Sequence, residues 1–393
     1  MHAIHCVLFI AVASGLCAAA DTRPAELVGI GQLPGTAADA SGLIDAAAGF
    51  PLNMLGGLSG LEYTGSGDRF WAICDRGPAD GEIDFPCRVH EIELPLPSSG
   101  PGSFVPRIIA THLLTDEAGI ALRGRASLFD SEMPRKSQRF DPEAVRKSSH
   151  GTLWISDEYG PDISEYSLDG KRIKRLNVPD RFCIQHPAAT KEQENTSNVS
   201  GRRSNAGFEG LAVNSSGKRM FVCIQRPLIQ DSQGPPDHLT GLHCRLLQID
   251  LETGHTREFV VRLDAPNHGI NELLAWGDDR LLLIERDDKP GVAAQFKRIM
   301  AVHLDGATDV SNIERLPSEQ LPIAIRPMRK ETVIDLLDPR YGLAGPSFPE
   351  KIEGLAFGRP LADGRQLLVV GTDNDCNPKT PSRFWMFALS DSQ

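Results

Sequence analysis

The chain has 393 residues, with 52 acidic side chains against 41 basic ones and a formal net charge of −11. The acidic residues are spread along the sequence without forming a tail. This balance argues against nucleic acid and anionic membrane surfaces as partners. It favours a surface that binds cations, and no segment beyond residue 20 is long and apolar enough to cross a membrane.

The N-terminal segment has the pattern of a secretory signal peptide. Its apolar run, "CVLFIAVASGLC", is shorter than the roughly 20 residues that a membrane span needs. Ala18 and Ala20 form a small-x-small cleavage pattern before Asp21. We therefore predict that residues 1–20 are a signal peptide, that residues 21–393 form the mature domain, and that the protein is secreted or periplasmic.

The cysteines of the mature chain allow disulfides without specifying them. Export makes bridges possible, but spacing alone does not choose a pairing. A buried cysteine also packs as a small apolar residue, which is an equally good interpretation of each position. The sequence has no CxxC pattern, and a zinc knuckle is not expected.

One pattern recurs five times along the mature chain. Each copy is a short apolar strand, a turn of Gly, Asp or Ser, and a second strand rich in β-branched, aromatic or leucine residues, which is typical of a hairpin. Two copies share the letters Glu-Gly-Leu-Ala, at residues 209–212 and 353–356. Further strand-like segments between the copies extend each unit to four strands. The copies begin at Gly57, Asp141, Gly207, Ile270 and Lys351.

A repeated unit of four antiparallel strands predicts an all-β fold, a single β-propeller. One blade cannot bury both of its faces, and stacking blades around an axis solves this. We expect five or six four-stranded blades. A sixth blade would be degenerate, or split between the N-terminal "ELVGIGQL" and the C-terminal "RFWMFAL", whose pairing would close the ring. A pair of β-sandwiches is the alternative, and it does not explain five copies in phase.

Acidic residues recur at two positions of the repeat. One precedes the Gly-Leu of the first strand, and the other ends the second strand. Because equivalent positions in a propeller are related by rotation about its axis, recurring carboxylates are expected to form a ring at one mouth of the channel. The candidate metal ligands are Asp75, Glu143, Glu158, Glu209, Glu272, Glu285, Glu353 and Asp373.

So many carboxylates in one place need compensation by protons, arginines or a bound hard cation. Calcium suits the pattern, since it takes six to eight oxygen ligands in flexible geometry. Arg76, Arg226 and Arg286 stand in phase with the acids and are candidates to bind a small anionic substrate. Carboxylate–arginine ties with a purely structural role are the alternative.

Nucleophilic catalysis has weaker support. "GLSGL" around Ser59 is similar to a nucleophile elbow, but Leu61 replaces the second glycine and no helix is expected after it. The histidines are scattered, without an HExxH motif. A carboxylesterase that uses Ser59 is therefore the weakest of the candidate functions.

The motifs together resemble a known family. In order from about Gly56 to Asp375, "GGLSGLEY", "LWISDEYGPDI", "NAGFEGLAV", "LLLIERD" and "KIEGLAFG" are similar to the phytase-like domain family, also called esterase-like activity of phytase. The resemblance implies a secreted, propeller-like hydrolase, related by name to phytases that release phosphate from inositol phosphates with calcium. It extends to the acids named above and to Arg76 and Arg286, whereas Gln225 stands where the family's acid is expected.

Two functions compete on this basis. The first is a phosphoester hydrolase in which calcium activates water and arginines hold the substrate. The second is a non-catalytic propeller that binds a ligand or a protein at its channel mouth.

Overall fold

The computed structural model describes residues 24–98, 102–130, 132 and 137–390. The signal peptide predicted for residues 1–20 lies outside this range. Within the described residues, no helix has the length and hydropathy that crossing a bilayer would require.

The described chain forms a five-bladed β-propeller with four strands in each blade, and this confirms the predicted fold class. The chain begins with β1 (Glu26–Leu33) and the small hairpin of β2 (Ala46–Ala47) and β3 (Phe50–Pro51). Blade one contains β4 (Leu58–Tyr63), β5 (Arg69–Cys74), β6 (Arg88–Glu93) and β8 (Arg107–Leu113), with β7 (Gly102–Phe104) in the loop before its last strand.

The next three blades follow the same order along the chain. Blade two contains β9 (Pro142–Lys147), β10 (Leu153–Asp157), β11 (Asp162–Tyr166) and β12 (Arg172–Arg175). Blade three contains β13 (Phe208–Val213), β14 (Arg219–Ile224), β15 (His243–Asp250) and β16 (Thr256–Arg262). Blade four contains β17 (Gly269–Ala275), β18 (Arg280–Arg286), β19 (Lys297–His303) and β20 (Arg329–Asp335).

Blade five joins the two ends of the chain. Its strands β21 (Ile352–Phe357), β22 (Gln366–Thr372) and β23 (Ser382–Leu389) come from the C-terminal part, and β1 completes it by pairing antiparallel with β23. The two terminal segments therefore pair as expected, but they complete the fifth blade and do not form a sixth. β7 adds to the outer edge of β1 in parallel.

Helical structure is confined to connections. The α-helix α1 spans Lys191–Ser197, between blades two and three, and the Thr190 side chain caps it by accepting a hydrogen bond from the Gln193 amide. Single 3-10 turns occupy Pro78–Gly81, Asp180–Phe182, Ile229–Asp231, Gly291–Ala293 and Pro339–Tyr341.

Apolar side chains fill the spaces between neighbouring blades. One cluster joins blades one and two through Ile73 and Val145, and another joins blades four and five through Ile284 and Leu355. Similar clusters lie between blades five and one and across blades two to four. Because each blade packs both of its faces in this way, the ring is held together by burial of apolar surface.

The innermost strand of every blade carries a β-bulge at the same height. In blades one, four and five the extra residue is Ser59, Asn271 and Glu353, respectively. In blades two and three the irregularity covers residues 143–144 and 209–210. A bulge bends the strand and redirects a side chain, and here it does so five times around one axis.

The repeated Glu-Gly-Leu letters follow from this geometry. In blades one, three and five the residue after the bulge faces the adjacent innermost strand so closely that a side chain does not fit, whereas Ala144 and Glu272 occupy this place in blades two and four. A Cβ added to Gly210 would lie 2.3 Å from the Leu273 amide nitrogen, and one on Gly60 would lie 2.7 Å from the Glu143 carbonyl oxygen. The leucine that follows, such as Leu211, is fully buried between blades.

Arg146 of β9 fills the axis one layer below the bulges. Its guanidinium donates from Nη1 to the Leu61 carbonyl oxygen of blade one at 2.7 Å. Its Nη2 atom lies 3.0 Å from Glu272 Oε2 in blade four and also contacts the Leu273 carbonyl oxygen. Arg146 therefore links three innermost strands, those of blades one, two and four.

Replacing Gly210 with Ala should destabilise the protein by about 1–3 kcal/mol, because the added methyl group overpacks the contact between β13 and β17. Gly241→Ala is the control, since its Cβ would come no closer than 3.2 Å to any neighbour. Urea unfolding followed by tryptophan fluorescence measures both variants. Equal stability of the two would contradict this explanation of the motif.

Candidate functional site

The five bulge residues converge on one cavity at the mouth of the propeller. The cavity has a volume of about 900 Å³ and opens to solvent. Every bulge residue that lines it is largely buried, with exposed fractions from 2% for Ser59 to 7% for Glu143. The first recurring position of the repeat therefore gathers at a single place. Its members are Ser59, Glu143, Glu209, Asn271 and Glu353.

A second ring follows from the ends of the second strands. In each blade, the residue just before the bulge pairs with a residue of the second strand, and the ring member is the next residue along that strand. In blade order these members are Asp75, Glu158, Gln225, Arg286 and Asp373. All but Asp373 line the cavity. Asp373 is buried beside it and lies 3.0 Å from Lys351 Nζ, which is a lining atom.

Blade four departs from the alignment made on the sequence. Its bulge residue is Asn271, so Glu272 occupies the place of the glycine in blades one, three and five and reaches Arg146 below the cavity. Burial raises the pKa of Glu272 to about 8, although Arg146 opposes the shift. In the sequence, Leu273 corresponds to Leu61 and Leu211 when the apolar residues of the first strands are aligned. That alignment would have placed Asn271 at the ring position.

Glu285 is one residue out of the second ring for the same reason. Its carboxylate lies 2.9 Å from His268 Nδ1, accepts from the Asp264 amide at 2.7 Å and contacts Lys330 Nζ. Glu272 and Glu285 are therefore outside the mouth cavity, in contrast to the expected placement, and Arg286 takes the ring position in blade four.

Arg76 ties two carboxylates together. Its backbone amide donates to Asp141 Oδ1 at 3.0 Å, and its Nη1 atom donates to Asp141 Oδ2 and to Glu158 Oε2, the latter at 3.1 Å. Nη2 contacts Asp80 Oδ1 at 2.6 Å. Burial lowers the pKa of Arg76, but Asp141 and Glu158 outweigh it and the pKa is raised.

Asp141 was not predicted from the sequence. It precedes β9, and the equivalent residues in the other blades are three glycines and Lys351. The repeat therefore gives no signal for an acid at this position. The only local signal is its place next to a Pro that begins a strand.

Two further lining acids, Glu353 and Glu209, also have side-chain partners. Glu353 accepts from Arg286 Nη2 at 2.6 Å and from Asn271 Nδ2 at 3.4 Å. Glu209 Oε1 accepts from the Gln225 side-chain amide. Arg76 and Arg286 are thus committed to carboxylates, as the structural alternative expected.

Glu143 has no hydrogen-bond or ion-pair partner in the described parts of the chain. Burial raises its pKa well above the ordinary value, and the Glu209 and Asp141 carboxylates raise it further. Its neighbour Glu158 has a pKa raised to about 7 by burial and by Asp141, with Arg76 opposing. One oxygen from each of Asp141, Glu143 and Glu158 lies within 4.8 Å of the others, an arrangement that could hold a metal ion.

A second such group is formed by Cys74, Asp75 and Cys376, whose ligand atoms also lie within 4.8 Å of one another. Burial and the nearby Asp373 carboxylate raise the pKa of Asp75. All three side chains are buried at the junction of blades one and five. The carboxylate of Asp75 accepts from the Gly77 amide at 2.8 Å.

Arg226 differs from the other two arginines of the cavity. Its Nη1 atom donates to the His268 carbonyl oxygen at 3.3 Å. Within residues 24–98, 102–130, 132 and 137–390, no carboxylate oxygen lies within 4.0 Å of its guanidinium. Burial and the charge of Arg286 lower its pKa. Arg226 is therefore the lining arginine that is available to an anionic ligand.

Ser59 lines the cavity, and its buried Oγ has no hydrogen-bond partner in the described part of the chain. No histidine is among the described residues that line this cavity. A carboxylate would have to act as the base if Ser59 were a nucleophile.

The fold and the site define a class of protein: a five-bladed propeller whose mouth cavity is lined by acidic residues and arginines. Residues 53–376 match the phytase-like family, described as esterase-like activity of phytase, and the chain belongs to this family. This confirms the resemblance drawn from the motifs.

A relative in Arthroderma benhamiae, named "Uncharacterized secreted protein", is 26% identical over 346 residues. The match covers 71% of this chain and 66% of that protein, so the chain spans slightly less than two thirds of its relative.

Solved propellers are similar at lower identity. A calcium-binding protein, regucalcin, from Agrobacterium tumefaciens is 12% identical with a TM-score of 0.39, covering 87% of this chain and 95% of that one. A periplasmic gluconolactonase from Pseudomonas aeruginosa is 12% identical with a TM-score of 0.37, covering 93% and 96%. Similarity at this level carries no inference about chemistry.

The carboxyls of the mouth predict that the metal-free protein loses stability as the pH rises from about 5 to about 8. Their pKa values are raised on folding, so the folded chain binds more protons than the unfolded chain over this interval. Their contribution is full below the unfolded pKa and is lost as the pH passes the folded values, about 7 for Glu158. Each pKa unit corresponds to about 1.4 kcal/mol.

Scanning calorimetry on chelator-treated, dialysed protein measures the melting temperature across this range. The replacement of Glu331, an exposed acid on β20 whose pKa is lowered by His303, with Gln should leave the slope unchanged. A melting temperature that is constant or rises from pH 5 to pH 8 would contradict the expected protonation of the mouth.

Proposed function

We propose that this protein is a secreted hydrolase of phosphate esters in which calcium assists the attacking water at the mouth cavity. The observation that carries the proposal is the partnerless carboxylate of Glu143, within 4.8 Å of oxygens of Asp141 and Glu158. A buried carboxylate without a partner is unfavourable in an isolated fold. A cation bound at this point would account for its retention.

The donor set suits a hard cation, because its potential ligand atoms are all carboxylate oxygens. Glu143, Asp141 and Glu158 would hold calcium, and the partnerless oxygen of Glu209 faces the same cavity. When bound, the ion would supply neutralisation of phosphate oxygens and a lowered pKa of its water.

Side chains of the chain supply the rest of the chemistry. Arg226 has guanidinium hydrogens free to donate to phosphate oxygens. Arg76 holds Asp141 and Glu158 in fixed positions, so that both carboxylates face Glu143 without rearrangement. Burial, with Glu158 and Glu353 nearby, raises the pKa of Glu209, and its Oε2 atom can carry the proton that the departing alcohol oxygen needs.

Specific contacts also favour a second candidate, a propeller that binds an anionic ligand without hydrolysing it. Two of the three expected substrate-binding arginines are engaged in ion pairs, Arg76 with Asp141 and Arg286 with Glu353. In that case the acids would be held protonated or by arginines, and Arg226 would be the main contact for the ligand.

Replacing Glu143 with Gln should weaken calcium binding by at least about tenfold, since it removes one ligand charge at nearly constant volume. Phosphate release from a panel of phosphomonoesters should fall together with it. In chelator at pH 8 the same variant should melt at a higher temperature than the wild-type protein, because the unfavourable burial of an unpaired acidic group, which raises the pKa of Glu143, is gone. Calorimetric titration, a phosphate assay and thermal unfolding measure the three effects.

Glu331→Gln is the matched control, as it makes the same substitution on an exposed strand far from the mouth. It should leave calcium affinity and activity at wild-type values. If the wild-type protein binds no calcium and releases no phosphate from the panel, the hydrolase proposal is wrong and the ligand-binding propeller is the remaining candidate.

A further inference from the structure

A second cavity lies beside the mouth and is lined by the connection between blades two and three, the β14–β15 loop of blade three and the connection to blade four. Its volume is about 1140 Å³, and it is open to solvent. Arg226 lines both cavities, whereas Arg203 lines this one only. We call it the flanking cavity.

Arg203 is buried and has no acidic partner among the residues that the structure describes. It is 7% exposed, and its guanidinium donates from Nη1 to the Leu239 carbonyl oxygen and from Nη2 to the Ser232 hydroxyl, both at 2.6 Å. Its Nε–H is buried without any acceptor. Both acceptors are neutral, so the positive charge is not balanced by this set of contacts.

Arg226 adds a second unbalanced cation to the same cavity. Its hydrogen bond goes to the neutral carbonyl oxygen of His268. Burial lowers the pKa of both arginines, and Arg226 helps to lower that of Arg203, which is about 10. Arg203 is buried and Arg226 is partly exposed, and two guanidiniums that repel one another in this way favour the binding of an anion between them.

The acids of the flanking cavity do not neutralise this pair. Asp237 and Asp288 line it, but both are exposed, and Asp237 lies 3.6 Å from His238 Nε2. In the part of the chain that the structure describes, neither carboxylate comes within 4.0 Å of Arg203 or Arg226. Asp288 reaches Arg226 only as a longer-range charge.

We propose that Arg203 and Arg226 form a binding site for a small oxyanion, a phosphate or carboxylate group, in the flanking cavity. Guanidinium groups present parallel N–H donors that match the oxygens of such a group. The buried Nε–H of Arg203 is a donor that lacks an acceptor in the ligand-free chain. The site uses no carboxylate of the mouth, and its occupation does not depend on calcium or on hydrolysis.

Calorimetric titration of inorganic phosphate into the mature protein, in the presence of chelator, tests this site. Wild-type protein should bind phosphate, and Arg226→Gln should weaken binding at least about tenfold, the loss expected for a charge-assisted hydrogen bond. Arg203→Lys keeps the charge but loses the fork, and it should also weaken binding. The control variant Arg257→Gln replaces an exposed arginine of β16 that is paired with Asp309. It should bind phosphate with the affinity of the wild-type protein.

Competition by acetate separates the two ligand chemistries. Displacement of phosphate by acetate assigns a carboxylate-accepting site, and resistance to acetate assigns a phosphate site; both support the proposal. Four results would overturn it: no phosphate binding in chelator, binding that appears only after calcium is added, equal affinities for Arg226→Gln and Arg257→Gln, or wild-type affinity for Arg203→Lys, which would place the phosphate at the mouth instead. Calcium is absent from these titrations. The result therefore tests the oxyanion site even if the proposed calcium-assisted hydrolysis is wrong.

Discussion

The close approach of five innermost strands around one axis is the constraint on which the rest of the molecule depends. With five blades the strands come so near that Gly210 has no room for a Cβ against Leu273. The bulge bends each strand at this height and directs one side chain toward the mouth. The same geometry that requires the glycine also gathers five side chains from distant parts of the chain into one cavity. Packing and site are therefore two consequences of one backbone feature.

Gathering acids in this way creates an electrostatic cost, and the chain offsets it unevenly. Arg76 binds Asp141 and Glu158, Arg286 binds Glu353, and Arg146 binds Glu272 one layer below. The pairs made by Arg76 and Arg286 hold neighbouring blades together at the cavity, whereas the Arg146 pair joins blades two and four below it. Glu143 and Arg226 are left without a partner of opposite charge among the described residues. The mouth therefore contains both structural ion pairs and groups that are available to a ligand. Different residues serve the two purposes, so the structural and the ligand-binding interpretations are compatible.

The repeat predicted the fold because hairpin periodicity and turn residues are local properties. Five copies gave five blades, and the end segments "ELVGIGQL" and "RFWMFAL" paired as β1 and β23. The convergence of Glu143, Glu209 and Glu353 was also predictable, since rotation relates equivalent positions. The placement of Glu272 and Glu285 was not, because a bulge shifts the register by one residue and the sequence marks it only through the phase of the leucines. Asp141 escaped prediction for a different reason: no other blade carries an acid there, and Arg76 contacts it only through the folded ring.

The position of the unpaired groups argues that the mouth is built for a ligand. Stability alone would favour an amide or an apolar residue at position 143, since an unpaired buried carboxylate weakens the folded state at neutral pH. Gln225 shows that the chain does use an amide where a ring acid needs a neutral partner, at Glu209. Arg286 likewise shows that the chain uses an arginine where a ring acid, Glu353, needs a positive partner. The residues that do neither, Glu143 and Arg226, line the same cavity, one with an acidic group and the other with a basic one. A ligand that combines a cation with an anionic group would satisfy both, and a phosphate ester bound beside calcium has that composition.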